Sequence, residues 1–294
     1  MAPVRLWIMA ARPRTLPAAI APVLVGTSAA VQVSGDIRVG AFIAALVGSV
    51  FIQIGTNLAN DYSDARRGAD TEDRLGPVRV TAGGLMPPRR VLVGTYVAFG
   101  VAVAAGAYLA AVAGWELLVV GALSIAAGVL YTGGPRPYGY AGLGELFVFL
   151  FFGVVAVTGS YYVQTEQLTW EAFALSAPVG LLAAAILVVN NVRDVDTDRR
   201  AGKRTLAVKL GRERTRRLFA ATLVLAFAVP LVVAAAGGLS WWLALTVLAW
   251  PLALPLVRTV RTRTDGPALN RALAATGRLL GVFSLLLSAG ILLS

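Results

Sequence analysis

Nine long apolar runs divide this 294-residue sequence. A helix needs about 20 mostly apolar residues to cross roughly 30 Å of hydrocarbon. The runs fall near 16–33, 39–60, 91–113, 117–132, 143–163, 173–192, 218–236, 241–257 and 273–293, the fourth and eighth being short. In lipid a single segment must satisfy its own backbone groups, which a helix does. The expectation is an all-α, polytopic membrane protein of nine transmembrane helices, with residues 1–294 as one transmembrane domain. Composition agrees. The chain is 57% hydrophobic and 14% charged, against about 25% charged in soluble domains. Abundant Gly and Ala let helices pack closely where apolar burial gives little drive for association. A basic, partly apolar lead-in over 5–14, with Trp7 suited to the interface, precedes the first run. It lacks the charged–apolar–cleavage order of a signal peptide and reads as an uncleaved first span.

The net charge of +11 has a topological explanation. Cytoplasmic loops collect Lys and Arg. With the N-terminus inside, the inner loops are 61–90, 133–142, 193–217 and 258–272, and they hold nearly all the cations. The outer loops hold Asp36, Glu116, Glu166 and Glu171, with Arg38 as their cation. The reading is a multi-pass protein of the cell membrane with a cytoplasmic N-terminus and an outside C-terminus. The lipid bilayer is the partner this charge implies; nucleic acid is not. There is no Cys and no His, so acid–base or metal chemistry falls to carboxylates, Lys, Tyr or water.

Two stretches break the apolar pattern in the same way. QIGTNLANDYSDARRGAD ends the second run, and LVVNNVRDVDTDRRAGKRTLAVKLG ends the sixth. Asn57 and Asp61 are four apart, with Asp64 three later and Asp70 beyond; Asn190, Asp194 and Asp198 are four apart. Spacing of four stacks side chains on one helix face. The matched clusters suggest two related halves of the bundle. Carboxylates at membrane depth are costly unless paired, and acids at i,i+4 repel. A repulsion repeated twice is best explained by a cation between the clusters. Oxygen-only ligands suit Mg²⁺, which takes one or two carboxylates plus phosphate oxygens. Asp61, Asp64, Asp70, Asp194 and Asp198 are thus the metal candidates, for two ions and a diphosphate. Arg79, Lys203 and Arg204 are diphosphate-binding candidates, since such cations hold phosphate oxygens directly, and the amides of Asn57 and Asn190 are candidates beside them. A diphosphate on a lipid tail suits a boundary between water and membrane. Ionising it leaves a carbocation that needs a dry pocket and π faces, for which Tyr131, Phe147 and Phe151 are candidates.

These residues resemble the UbiA superfamily of intramembrane prenyltransferases. Its pattern is an Asn-x-x-x-Asp motif with further Asp in one half and a second Asp-rich motif in the other. The nine spans and the inner placement of both motifs extend the resemblance over nearly the whole chain. Four segments carry a narrower likeness, to the branch that prenylates 1,4-dihydroxy-2-naphthoate: ARPRTLPAAIAPVLVG at 11–26, NLANDYSDARRGAD at 57–70, YTGGPRPYGYAGLGE at 131–145 and NNVRDVDTDRRAGKRTLAVKLG at 190–211. The first motif departs from the commoner spacing, with Asp64 three rather than four after Asp61. The resemblance implies Mg²⁺-dependent transfer from a polyprenyl diphosphate to dihydroxynaphthoate, with loss of carbon dioxide, giving demethylmenaquinone and pyrophosphate. Asp61, Asp64, Asp194, Asp198 and Tyr131 would be catalytic, and Arg12, Arg14 and Arg136 would hold the acceptor carboxylate. Another acceptor such as 4-hydroxybenzoate is the alternative. A cation-coupled transporter would place its acids near the midplane rather than at the cytoplasmic ends.

Overall fold

The computed structural model describes residues 3–69, 75–237 and 239–294. No strand occurs among them. The elements are α1 (Pro3–Ala11), α2 (Pro17–Ser34), α3 (Val39–Arg66), α4 (Pro88–Ala113), α5 (Glu116–Leu130), α6 (Gly144–Val148), α7 (Ala156–Thr165), α8 (Trp170–Arg200), α9 (Leu206–Leu210), α10 (Arg212–Ala235), α11 (Trp250–Thr262) and α12 (Gly266–Leu292). Eight helices are long and apolar enough to cross a membrane, and α5, at 15 residues, is a shorter apolar ninth. The chain is a multi-pass membrane protein. Each of the nine apolar runs became a helical segment.

Two spans are irregular, and the sequence explains one of them. The eighth begins as a 3₁₀ helix over Trp241–Ala249 and becomes α-helical only at Trp250. Pro251 stands in the first turn of α11, where its missing N–H costs nothing; within a continuous α-helix it would clash with an earlier carbonyl. The fifth span is α6, a π-helical stretch over Phe149–Val155, and then α7. Gly153 lies in that stretch against Gly180 of α8. A Cβ on Gly153 would sit 2.6 Å from the Gly180 Cα, so the two backbones cross with no room for a side chain.

Helix α8 runs through the middle of the bundle. Leu175, Val179, Leu182, Ala185 and Val189 are buried around it, in a core shared with α2, α10 and α12. Its start is capped by the Thr169 hydroxyl, which accepts from the Ala172 N–H. Helix α3 is less enclosed. Its C-terminal end packs through Leu58 with Ala10 of α1 and with Val80, Met86 and Val91. The lead-in segment is thus an interfacial helix resting on the end of α3, with Trp7 and Ile8 exposed. At the opposite end, the Arg38 guanidinium pairs with Glu166 at 2.6 Å, and the Arg38 N–H donates to the Gln164 side chain at 2.7 Å. This clasp ties the α2–α3 loop to the end of α7. Both acidic motifs therefore lie together, at the end of the bundle away from the clasp.

Candidate active site

A cavity of about 360 Å³ runs between α2, α3, α4, α5 and the α6–α8 segments. Its polar end lies where α3 and α8 finish. Its apolar end reaches Leu109, Leu117 and Val163, at the far ends of α4, α5 and α7.

One wall is a face of α3. Gln53, Asn57, Asn60 and Asp64 line it, at spacings of four, three and four that repeat on one helix side. Asp64 is buried and is met by three other segments. The Tyr140 hydroxyl donates to its Oδ1 at 2.6 Å. The Arg79 Nη2 lies 3.2 Å and the Lys203 Nζ 3.7 Å from its Oδ2. Asn57 donates to the Ala11 carbonyl at 2.9 Å and to the Thr15 hydroxyl at 3.2 Å. Asn60 accepts from the Thr132 hydroxyl at 2.9 Å.

Asp61 points elsewhere. One residue on from Asn60, it is turned by about 100° around the helix and is not among the cavity-lining residues. Its Oδ2 accepts from the Val80 N–H at 3.1 Å and its Oδ1 from the Thr81 N–H at 3.0 Å. Those amides open a tight turn in which Leu85 and Met86 both donate to the Val80 carbonyl. The carboxylate so anchors the loop that carries Arg79 to Asp64.

The other wall is α8. Asn190, Asn191, Asp194 and Asp198 line the cavity. The Asp194 carboxylate is gripped on both oxygens by its neighbour Arg193. Arg193 is almost fully buried, at 1% exposure. It also donates to Asn190 at 2.8 Å and to Asn270 of α12 at 2.6 Å. Asn191 donates to Glu145 at 2.8 Å. Asp196 faces outward and pairs with Arg212 at 2.6 Å. Past the helix end the Lys203 N–H returns to the Asp198 carbonyl at 2.9 Å. The Lys203 ammonium, 4.9 Å from the Tyr140 ring centroid, then reaches the first motif's acid. A residue of the second motif's loop thereby bridges the two walls.

Aromatic rings line the way toward the apolar end. Tyr131 meets Tyr138 edge-on at 5.5 Å, Tyr138 stacks on Phe147 at 4.0 Å, and Phe147 lies 6.1 Å from Phe151. Burial pushes the Tyr138 phenol above its ordinary pKa, so it stays a neutral donor, here to the Ala127 carbonyl at 2.9 Å. Gly139 makes room for the Tyr131 ring: a Cβ there would lie 2.7 Å from it.

The structure thus gathers Asn57, Asp64, Arg79, Tyr131, Asn190, Asp194, Asp198 and Lys203 around one cavity. Arg12 joins them in left-handed backbone conformation, φ 54°, which a non-glycine residue adopts only at a cost. Arg14, Arg136 and Arg204 are exposed and are not among the lining residues; Arg204 contributes its backbone N–H to the Tyr140 carbonyl at 2.9 Å. Asp70 lies outside the described residues. Sequence reasoning missed Asn60, Tyr140, Asn191 and Asn270. Only Asn60 carried a usable signal, being three residues from Asn57 on the same helix face.

The donors fit Mg²⁺, a hard ion that prefers oxygen: they are carboxylate and amide oxygens throughout. Among the described residues no three acids stand close enough to share an ion. The acids divide between two walls, as expected where phosphate oxygens and water complete the coordination.

Residues 19–290 match the model of the UbiA prenyltransferase family. The chain is 44% identical to the 1,4-dihydroxy-2-naphthoate octaprenyltransferase of Mycobacterium tuberculosis, over 97% of this chain and 96% of that one. It is 38% identical to the Escherichia coli enzyme of the same name, over 98% and 95%. A solved UbiA homologue from Archaeoglobus fulgidus, bound to GPP and Mg²⁺, superposes with a TM-score of 0.71 at 15% identity, covering 98% of this chain and all of that one. Span number, motif placement and family match converge, and the chain belongs to the UbiA prenyltransferase family.

Proposed function

We propose that the protein transfers a polyprenyl group from a polyprenyl diphosphate to 1,4-dihydroxy-2-naphthoate, releasing pyrophosphate and carbon dioxide. The carrying observation is the cavity's division. Asp64, Asp194 and Asp198 alternate with Arg79 and Lys203 at one end, and aromatic and aliphatic side chains fill the other. That pattern matches a molecule with a charged head and a long apolar tail. The curated relatives bearing the naphthoate name support the acceptor.

Asp64, Asp194 and Asp198 would hold Mg²⁺, with Asn57, Asn60 and Asn190 as neutral oxygen donors beside them. Two ions fit the two walls. Bound Mg²⁺ supplies Lewis-acid neutralisation of the leaving pyrophosphate. Arg79 and Lys203, already aimed at Asp64, are placed to share their charge with phosphate oxygens. The allylic C–O bond breaks and its electron pair leaves with the pyrophosphate. The cation then faces the Tyr131–Tyr138–Phe147 rings, which stabilise it through their π faces and exclude water. The ring carbon attacks and a C–C bond forms; the carboxylate leaves as carbon dioxide, its bonding pair stays with the ring, and no net proton is released. No electrons are lost in these steps, so the immediate product is the quinol form of demethylmenaquinone. Arg12, held at the cavity wall, is placed to bind the acceptor carboxylate. Arg14 and Arg136 are weaker candidates for that task because they face outward. The charge distribution supports a cytoplasmic site in the cell membrane, with the C-terminus outside and residues 1–294 acting as one domain.

The test supplies purified protein with Mg²⁺, a polyprenyl diphosphate and either dihydroxynaphthoate or 4-hydroxybenzoate. Prenylated naphthoquinol is the expected product. Product from 4-hydroxybenzoate alone overturns the acceptor, and no pyrophosphate release from either pair overturns the enzyme reading.

A further inference from the structure

A second cavity lies between α11 and α12 and shares no lining residue with the first. Its lining combines apolar side chains with three arginines, Arg263, Arg271 and Arg278. Arg263 already has a partner, Asp265, at 2.7 Å. Arg271 and Arg278 are exposed and make no hydrogen bond or ion pair among the described residues. Asp265 caps the start of α12, and neither α11 nor α12 itself contains an acid. Seven residues apart on α12, the two point to the same side, about 10 Å from each other along the axis.

Their depth makes this unusual. Arg278 sits twelve residues into α12, about 18 Å from its start. Its neighbour Gly277 packs on the Arg14 backbone, just ahead of the first span. Arg278 therefore stands at the inner edge of the hydrocarbon, on a lipid-facing surface. A cation there needs an anion or must extend toward water. Beside it Leu252, Leu256, Leu279 and Val282 make an apolar floor that continues toward the bilayer centre.

We infer that this groove binds one anionic phospholipid of the inner leaflet. Its phosphate is held by Arg271 and Arg278, and an acyl chain lies along the exposed Leu252 and Val282, over the buried Leu256 and Leu279. Basic pockets between transmembrane helices on the cytoplasmic side recognise anionic headgroups in this way. The charge complementarity decides against a zwitterionic lipid, whose own cation would meet the arginines. The inference does not depend on the proposed reaction.

The experiment uses the full chain in neutral detergent, delipidated and then given phosphatidylglycerol, phosphatidylcholine or inorganic phosphate. Native mass spectrometry counts retained lipid, and thermal unfolding reports stabilisation. One retained phosphatidylglycerol and a rise in Tm of about 4 °C are expected, with neither effect from phosphatidylcholine or inorganic phosphate. R271Q/R278Q should lose both effects. R258Q/R261Q removes two exposed arginines of α11 that do not line the groove and should keep both. Ala275→Trp, which fills the groove and leaves its cations, should lose retention as well. Equal retention of the two lipids, a phosphate-only shift, or retained phosphatidylglycerol in R271Q/R278Q or in Ala275→Trp overturns the proposal.

Discussion

The two acidic motifs share the four-residue step from Asn to Asp but are held in different ways. On α3, Asp61 and Asp64 are fixed by distant parts of the chain: the amides of Val80 and Thr81, the hydroxyl of Tyr140, and the cations Arg79 and Lys203. On α8, Asp194 is fixed by the next residue, Arg193, which Asn190 and Asn270 hold in turn. The first motif is organised by loops, the second by its own helix at the centre of the bundle. A site that must admit a charged head and later release it benefits from one firm wall and one assembled from loops. Lys203 links the two, because its backbone belongs to the second motif and its ammonium to the first.

Removing Asp64 should separate the walls most strongly. Asp64→Ala leaves Arg79 and Lys203 buried without their shared counter-charge, a loss of about 3 kcal/mol in stability. It should also lower turnover by about 10³-fold or more through the lost metal and phosphate alignment. Steady-state kinetics with chemical denaturation checks both. Normal turnover would show that the loop-built wall is dispensable.

A smaller effect is expected from Tyr140→Phe. It deletes one hydrogen bond to Asp64 and keeps the ring under Lys203. Partners that orient a metal-binding carboxylate are worth about 10-fold or more in metal affinity or activity. The Mg²⁺ concentration for half-maximal rate should rise accordingly, whereas the same titration of an Asn270 variant should not move.

Asn270→Ala probes the firm wall, removing as well one hydrogen bond to the Leu75 carbonyl. Arg193 keeps Asp194 and Asn190 but loses one partner, which costs about 1–2 kcal/mol. Thermal unfolding should show a lower Tm with turnover within about threefold of the parent, the protein being assayed well below that Tm. A turnover loss as large as that of Asp64→Ala would mean the second wall is no firmer than the first.

The sequence carried the parts of this site that follow from helix period and charge, and missed those that follow from tertiary approach. The spans, their order and the placement of both motifs at span ends were legible because hydrocarbon thickness fixes helix length. Asp64 and Asp194 stood out because carboxylates are rare at membrane depth. Tyr140 did not, since it meets Asp64 across 76 positions of sequence, and a tyrosine in a glycine-rich loop has many ordinary uses. Asn270, 77 positions from Arg193, looked like any polar residue at a helix start. The arginines failed in the other direction. Arg204 and Arg136 carry the same positive-inside signal as Arg79 and Arg12, and only the fold separates those that face the cavity from those that face water. Asp61 illustrates a finer limit. Its four-residue step from Asn57 puts it near the cavity-lining face, yet the Val80–Thr81 amides draw its carboxylate to the loop.

The central claim is that Asp64 and Asp194, from opposite walls, jointly hold a Mg²⁺–diphosphate head while Asp61 positions the loop beside it. Calorimetric binding of a non-hydrolysable polyprenyl diphosphate analogue, with and without Mg²⁺, tests this directly. Mg²⁺-dependent binding is expected of the parent protein, with loss of that binding in Asp64→Asn and in Asp194→Asn, and its retention with reduced affinity in Asp61→Asn. Binding that ignores Mg²⁺, or that survives in Asp64→Asn and disappears in Asp61→Asn, would contradict it.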